Sequence, residues 1–242
     1  MSPIGYIERG EMEKQATQAA HGAKPIIWSA AALGVSLPGA GLLGGDRLLA
    51  RADLAPDAVD RAWSAALALL DLASGKEIGA FLLGAALIAA ALIRNALKRR
   101  PLWSGRLLYV GAVQLICTAA ADFAKPPFGR LRPFQALADP AGADRWFMGP
   151  DFGSFPSGHA AFYAGLFLPL ALLFPRWAAA LLVVPLLVGA QRIVSHDHYA
   201  SDVGASFLLA AIVAGGLWRL LDPGRHHPVQ GPGLAAPKAT ES

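Results

Sequence analysis

The chain has 242 residues, 55% of them hydrophobic and only 16% charged, with a net charge of +4 and a positive mean hydropathy. Water-soluble domains usually carry about 25% charged residues, so this balance points to a membrane protein. The basic residues are scattered over segment ends and loops instead of forming one stripe, which argues against a nucleic-acid partner.

Residues 1–25 are polar and mixed in charge, without the basic start and short apolar core of a secretory signal. They are expected to be a cytoplasmic N-terminal segment with no cleaved leader. A helix needs roughly 20 apolar residues to cross a bilayer core, within a range of about 17 to 25. Six segments approach that length: 26–45, 78–97, 105–124, 159–174, 177–194 and 203–221.

The first of these is interrupted by "GVSLPGAGLLGG", whose Gly and Pro weaken any single helix. Between the first two lies "APDAVDRAWSAALALLDLASG", whose apolar run 62–70 is too short to cross. With Asp57 or Asp60 suited to cap its start, it reads as a short helix in the membrane interface or packed on the bundle. The fourth segment ends at "PRW", so a tight turn must join it to the fifth. Cys117 lies within the third, is the only cysteine, and reads as a packing residue.

From Asp222 the chain is rich in Pro, Gly and small polar residues and cannot bury a core. Residues 222–242 are therefore expected to be a disordered tail, in which His226 and His227 have no other ligand types beside them. The expected fold is all-α: a six-span bundle over 26–221, with a short extra helix between the first two spans. Its abundant alanine suits close helix packing in lipid.

Topology follows from charge. The loop "KRRPLWSGR" and Arg94 before it are basic and free of acids, which marks that side as cytoplasmic. Six spans then put both termini in the cytoplasm and send the loops 125–158 and 195–202 to the opposite face together.

Three polar clusters share that face. "KPPFGRLRP" holds Lys125, Arg130 and Arg132 on a stiff arm, and guanidinium forks suit phosphate oxygens; the bland alternative is a membrane anchor in which Asp122 pairs with Lys125. "SFPSGH" reads as a helix start: Ser154 or Ser157 as cap, Pro156 in the first turn, Gly158 for close backbone approach, and His159 at an N-terminus suited to anions. In "QRIVSHDHYASD", His198 and Asp202 stand four apart, so on one helix the carboxylate would hold the ring by one nitrogen. Arg192 adds a cation at membrane depth. Metal binding is disfavoured by the surrounding cations and the lack of a zinc spacing such as His-Glu-x-x-His. Phosphoryl transfer without metal or cofactor needs cations in place of magnesium, a nucleophile and a proton donor, and these clusters contain one set of each.

On these residues the sequence resembles the type 2 phosphatidic acid phosphatase superfamily. Its three-part signature matches Lys125 with Arg132 and Pro133, then Pro156, Ser157, Gly158 and His159, then Arg192, His198 and Asp202. Gln191 departs from it, standing where the family usually has serine. The resemblance implies that His198 attacks phosphorus to form a phosphohistidine and that Asp202 fixes its tautomer. It also implies that His159 protonates the leaving oxygen, then activates water, while Lys125, Arg132, Arg192, Ser157 and the backbone at Gly158 hold the phosphate. His196 and Asp197 match no motif position, and Arg130 was open to phosphate or solvent. The implied protein is a cytoplasmic-membrane lipid phosphatase with its site facing the periplasm or exterior. Undecaprenyl diphosphate or a phosphatidate-type lipid is the expected substrate and lipid A 1-phosphate an alternative; a lipid phosphotransferase and a non-enzymatic anion-binding protein are the competing classes.

Overall fold

The computed structural model describes residues 25–32, 34–41, 45–52, 57–97, 101–138, 144–221 and 223. The expected N-terminal segment and C-terminal tail fall almost wholly outside them. Among the described residues there are helices, turns and extended loops but no strand. In chain order the helices are α1 (Pro25–Ala40), α2 (Asp46–Arg51), α3 (Asp57–Ser74), α4 (Lys76–Gly79), α5 (Leu82–Ala96), α6 (Pro101–Phe128), α7 (Pro133–Ala138), α8 (Gly158–Leu173), α9 (Ala178–Val194) and α10 (Ala200–Leu221).

Three helical stretches are long and apolar enough to cross a membrane by length and composition: Trp103–Ala138, Pro175–Val194 and Ala200–Leu221. The other three expected segments coincide with shorter apolar helices, α1, α5 and α8. Within the segment 26–45 the described residues are helical over α1, and α2 follows with Asp46 so close to Gly41 that a β-carbon there would stand 2.6 Å from the carboxylate. The segment 78–97 begins as α4 and resumes as α5. The turn between α8 and α9 is the expected tight one, a single 3-10 turn at Pro175–Trp177.

α8 is the centre of the bundle, packed against α6, α9 and α10. Its sequence "GHAAFYAGLFLPLALL" is apolar on all sides, and a helix hydrophobic all round has to be buried. Phe162, Tyr163, Ala164 and Leu172 are fully enclosed. The outer surface is also apolar, with Phe123, Ile212 and Leu220 mostly exposed, as a lipid-facing surface should be.

Small residues set the crossings. A β-carbon on Gly84 of α5 would stand 3.0 Å from the Gly111 carbonyl of α6, and one on Gly111 would stand 2.8 Å from the Gly84 carbonyl. On α8, Gly165 presses on Cys117 of α6 in the same way, at 2.9 Å. Cys117 is fully buried, as a packing residue is. Polar side chains add ties from α6: Tyr109 donates to the Ala214 carbonyl of α10 at 3.0 Å, and Gln114 donates to the Ala80 carbonyl just before α5 at 3.0 Å.

The helix expected over 62–70 is a full 18 residues, α3. Of the two placements open to it, packing on the bundle is the one observed: Leu67 clusters with Phe162, Tyr163 and Val188. Gly75, at φ 73°, ends α3 in the left-handed region that glycine tolerates, and the sharp reversal brings Lys76 back over α8.

Because the α5–α6 crossing leaves no room for a side chain, Gly84→Val is expected to cost about 1–3 kcal/mol by overpacking. A lower melting temperature in detergent is the readout.

Candidate functional site

The three motif segments meet where α6, α8, α9 and α10 end or begin. Lys125 lies in the last turn of α6, just before Gly129. Gly129, at φ 44°, breaks the helix, and a β-carbon on it would strike the Gly149 carbonyl at 2.7 Å. The chain then runs beside residues 145–149, with Leu131 donating to the Arg145 carbonyl and Phe147 to the Phe128 carbonyl. Lys125 pairs with Asp122 at 2.6 Å, the anchor pairing foreseen for it. Its ammonium also lies against the start of α8: a β-carbon on Gly158 would stand 2.9 Å from Nζ. Glycine at 158 is what lets the cation reach the helix terminus.

Ser157 caps α8, its Oγ accepting from the Ala160 N–H at 3.4 Å. Ser154 has a different task. Its Oγ donates to Asp202 at 2.6 Å, and its carbonyl lies 2.7 Å from Nδ1 of His198. A carbonyl only accepts, so Nδ1 carries the proton and Nε2 keeps a lone pair. Burial pushes the His198 imidazole below its ordinary pKa; Asp202 pulls the other way, and Arg192 and Arg132 add to the lowering. A neutral ring with an available lone pair is the state a nucleophile requires.

This corrects the expected His198–Asp202 pair. α10 begins at Ala200, so His198 precedes the helix, and its Nδ1 stands 3.7 Å from the Asp202 carboxylate, beyond hydrogen-bond distance. Asp202 instead accepts from Ser154 Oγ and from the Tyr199 N–H at 2.9 Å.

Arg130, left open between phosphate and solvent, faces neither. It is 1% exposed and its guanidinium bonds Asp46, Asp144, Asp202 and Ser201. The rings of Trp146 and Tyr199 lie within 4.3 and 3.9 Å of its central carbon, a cation–π arrangement. Burial alone lowers the Arg130 pKa, but Asp144, Asp202 and Asp46 outweigh it and hold the guanidinium above its ordinary value.

Arg132 and Arg192 converge on a carboxylate. Asp197 lies 3.4 Å from Arg132 and 2.8 Å from Arg192, and Ser195 donates to it at 2.7 Å. Among the described residues Arg192 Nε is buried without a hydrogen-bond partner. His196 takes a positive φ of 57°, and its carbonyl accepts from Phe134. Gln191 is turned away from this cluster: its amide donates to Ser64 of α3 at 2.9 Å.

His159, for which no orienting acid was foreseen, has one. Asp71 of α3 places a carboxylate oxygen 3.0 Å from Nε2, and Lys76 of α4 places its ammonium 2.9 Å from the same nitrogen. Sequence spacing gave no sign of Asp71 or Asp46. The one available signal was that an acid interrupts an apolar run in α3.

A family model described as PAP2 superfamily matches residues 105–225, from α6 to the chain beyond α10. The chain is similar to a lipid A 1-phosphatase of Rhizobium etli, 32% identical over 120 residues that cover 49% of each protein. It is similar to a lipid A 1-phosphatase of Rhizobium johnstonii, 35% identical over 119 residues, 46% of this chain and 48% of that one. An acid phosphatase of Zymomonas mobilis is 38% identical over 90 residues, 36% of this chain and 34% of that one. The chain thus spans about half the length of the first two curated relatives and about a third of the last. No solved structure matches it significantly.

Removing the Arg130 charge strands Asp46, Asp144 and Asp202 around an unpaired site. Arg130→Met is expected to destabilise the fold by about 3–5 kcal/mol, the usual effect of breaking a buried ion network from one side. Denaturant or thermal unfolding in detergent measures it.

Proposed function

The chain belongs to the PAP2 superfamily, and from that premise we propose that it is an integral membrane phosphatase releasing phosphate from a lipid monoester or diphosphate. The observation that carries this reading is the seat occupied by Asp197. Two arginines from two separate motif segments already enclose an anion there, beside a neutral histidine whose Nε2 lone pair is available. A phosphate taking the place of that carboxylate would meet Arg132, Arg192 and the partnerless Arg192 Nε, with Lys125 and the amides at the start of α8 close by.

The reaction then runs in two steps. His198 Nε2 attacks phosphorus while the ester P–O bond breaks and His159 gives its proton to the leaving oxygen. Water next attacks the phosphohistidine, giving its proton to His159, and orthophosphate departs as the N–P bond breaks. Asp202, through Ser154, holds His198 in the tautomer this needs. Ser157 accepts the Ala160 amide, which leaves its hydroxyl proton for a phosphate oxygen. Three side-chain cations supply the charge stabilisation that magnesium provides in other phosphoryl-transfer sites.

A lipid substrate suits the placement. The residues gather where helices leave an apolar bundle, so a headgroup can enter while its tail stays in the bilayer. The names of the two Rhizobium relatives support the 1-phosphate of lipid A as our first candidate substrate, beside undecaprenyl diphosphate and phosphatidate. We read α1, α4–α5, α6, α8, α9 and α10 as six spans, with the basic loop before α6 in the cytoplasm and the site on the outer face of the cytoplasmic membrane.

Purified protein in detergent, given lipid A 1-phosphate, undecaprenyl diphosphate and phosphatidate in turn, is expected to release orthophosphate from at least one. His198→Ala and His159→Ala are each expected to lower that release by about 100-fold or more; near-normal turnover in either variant defeats the mechanism. Release is also expected to persist in excess chelator, and loss restored by magnesium refutes metal independence.

A further inference from the structure

Asp71 lies outside the segment shared with the family and outside all three motifs, yet it is 3% exposed and aimed at His159. Each of its oxygens is engaged. Oδ2 stands 3.0 Å from Nε2 of His159, and Oδ1 accepts from the Tyr163 hydroxyl at 2.7 Å. Tyr163 stands one turn beyond His159 on α8, so the two side chains share a face and approach the carboxylate together. Ser74 closes the arrangement: its Oγ donates to the Asp71 carbonyl at 3.1 Å and lies 3.1 Å from the Tyr163 hydroxyl.

A buried carboxylate is costly unless donors surround it, and here they do. Burial alone would raise the Asp71 pKa, but the hydrogen bonds from His159 and Tyr163 and the charge of Lys76 outweigh it and hold the group below its ordinary value. The group is thus an anion at neutral pH. A carboxylate beside an imidazole nitrogen accepts its proton and so decides which nitrogen faces the other way.

We propose that Asp71 is the positioning residue of the protonated His159: the Lys76 ammonium, 2.9 Å from the same Nε2, only donates and so cannot bond that nitrogen while it carries a proton, whereas Asp71 accepts from Nε2–H, presents Nδ1 to the leaving oxygen and steadies the imidazolium before its proton is given up. The assignment rests on the phosphatase reading and deepens it. In the first step the Nδ1 proton passes to the ester oxygen as the P–O bond breaks and the His198 N–P bond forms. In the second, Nδ1 takes a proton from the attacking water. Asp71 stays ionised throughout. The arrangement gives each histidine an orienting partner from elsewhere in the chain, Ser154 with Asp202 for His198 and Asp71 with Tyr163 for His159.

The test compares two leaving groups. An alkyl oxygen, as in phosphatidate, must be protonated to leave, whereas p-nitrophenolate is a weak base and leaves without a proton. Single-turnover formation of phosphohistidine is measured by rapid quench into alkali, in which the acid-labile N–P bond survives, for wild-type protein, Asp71→Asn and Tyr163→Phe with each substrate.

Asp71→Asn is expected to slow phosphorylation by phosphatidate by about 10- to 100-fold, part of the worth of a general acid, and to leave phosphorylation by p-nitrophenyl phosphate within about threefold of wild type. Tyr163→Phe is expected to show the same selectivity at smaller amplitude, and it carries the test should the asparagine variant not fold. Equal slowing with both substrates, or no slowing with either, overturns the assignment. Wild-type protein that forms no phosphohistidine with p-nitrophenyl phosphate, phosphatidate, undecaprenyl diphosphate or lipid A 1-phosphate defeats the phosphatase reading, and this assignment falls with it.

Discussion

The rest of the site depends on one buried guanidinium. Arg130 sits among three carboxylates that arrive from three places: Asp46 from α2, Asp144 from the loop after α7, and Asp202 from the first turn of α10. In an apolar interior none of these ions is tolerable alone. Arg offers five N–H donors in a rigid plane, enough to bind several carboxylates at once, while Trp146 and Tyr199 cover its faces. The constraint is mutual: the acids hold the arginine, and the arginine fixes the distance between the arm after α6 and the start of α10.

The consequences reach His198 through short links. Asp202, held by Arg130, accepts from Ser154, whose carbonyl in turn holds His198 Nδ1. Ser206 binds the carbonyls of both Ser157 and Asp202, so the cap of α8 and the start of α10 cannot move independently. A ring of hydrogen bonds thus closes around the His198 loop, the kind of fixed positioning on which phosphoryl transfer depends.

The helices ahead of α6 bring three polar side chains to the motif segments. Asp46 completes the arginine network, Ser64 receives the Gln191 amide, and Asp71 meets His159. Gln191 thereby acquires a reason other than phosphate contact: its longer side chain reaches α3, where a serine could not.

The sequence by itself determined the fold class, the apolar segments, and the motif spacing that singled out Lys125, His159, Arg192, His198 and Asp202. Hydrophobicity and local spacing are properties of neighbouring residues, and they are legible without a structure. It also determined that a tight turn follows α8, because Pro175 and the short segment before it leave no alternative. Tertiary structure decided the partners. Asp71 and His159 are 88 positions apart, and Asp46 and Arg130 are 84 apart, so no periodicity relates them. The inference that Asp202 holds His198 directly followed helical spacing into a stretch that is not helical, because Asp202 is turned toward Arg130, Ser154 and the Tyr199 amide. A buried charge goes to the donors that solvate it best, and where those donors lie depends on how the helices cross.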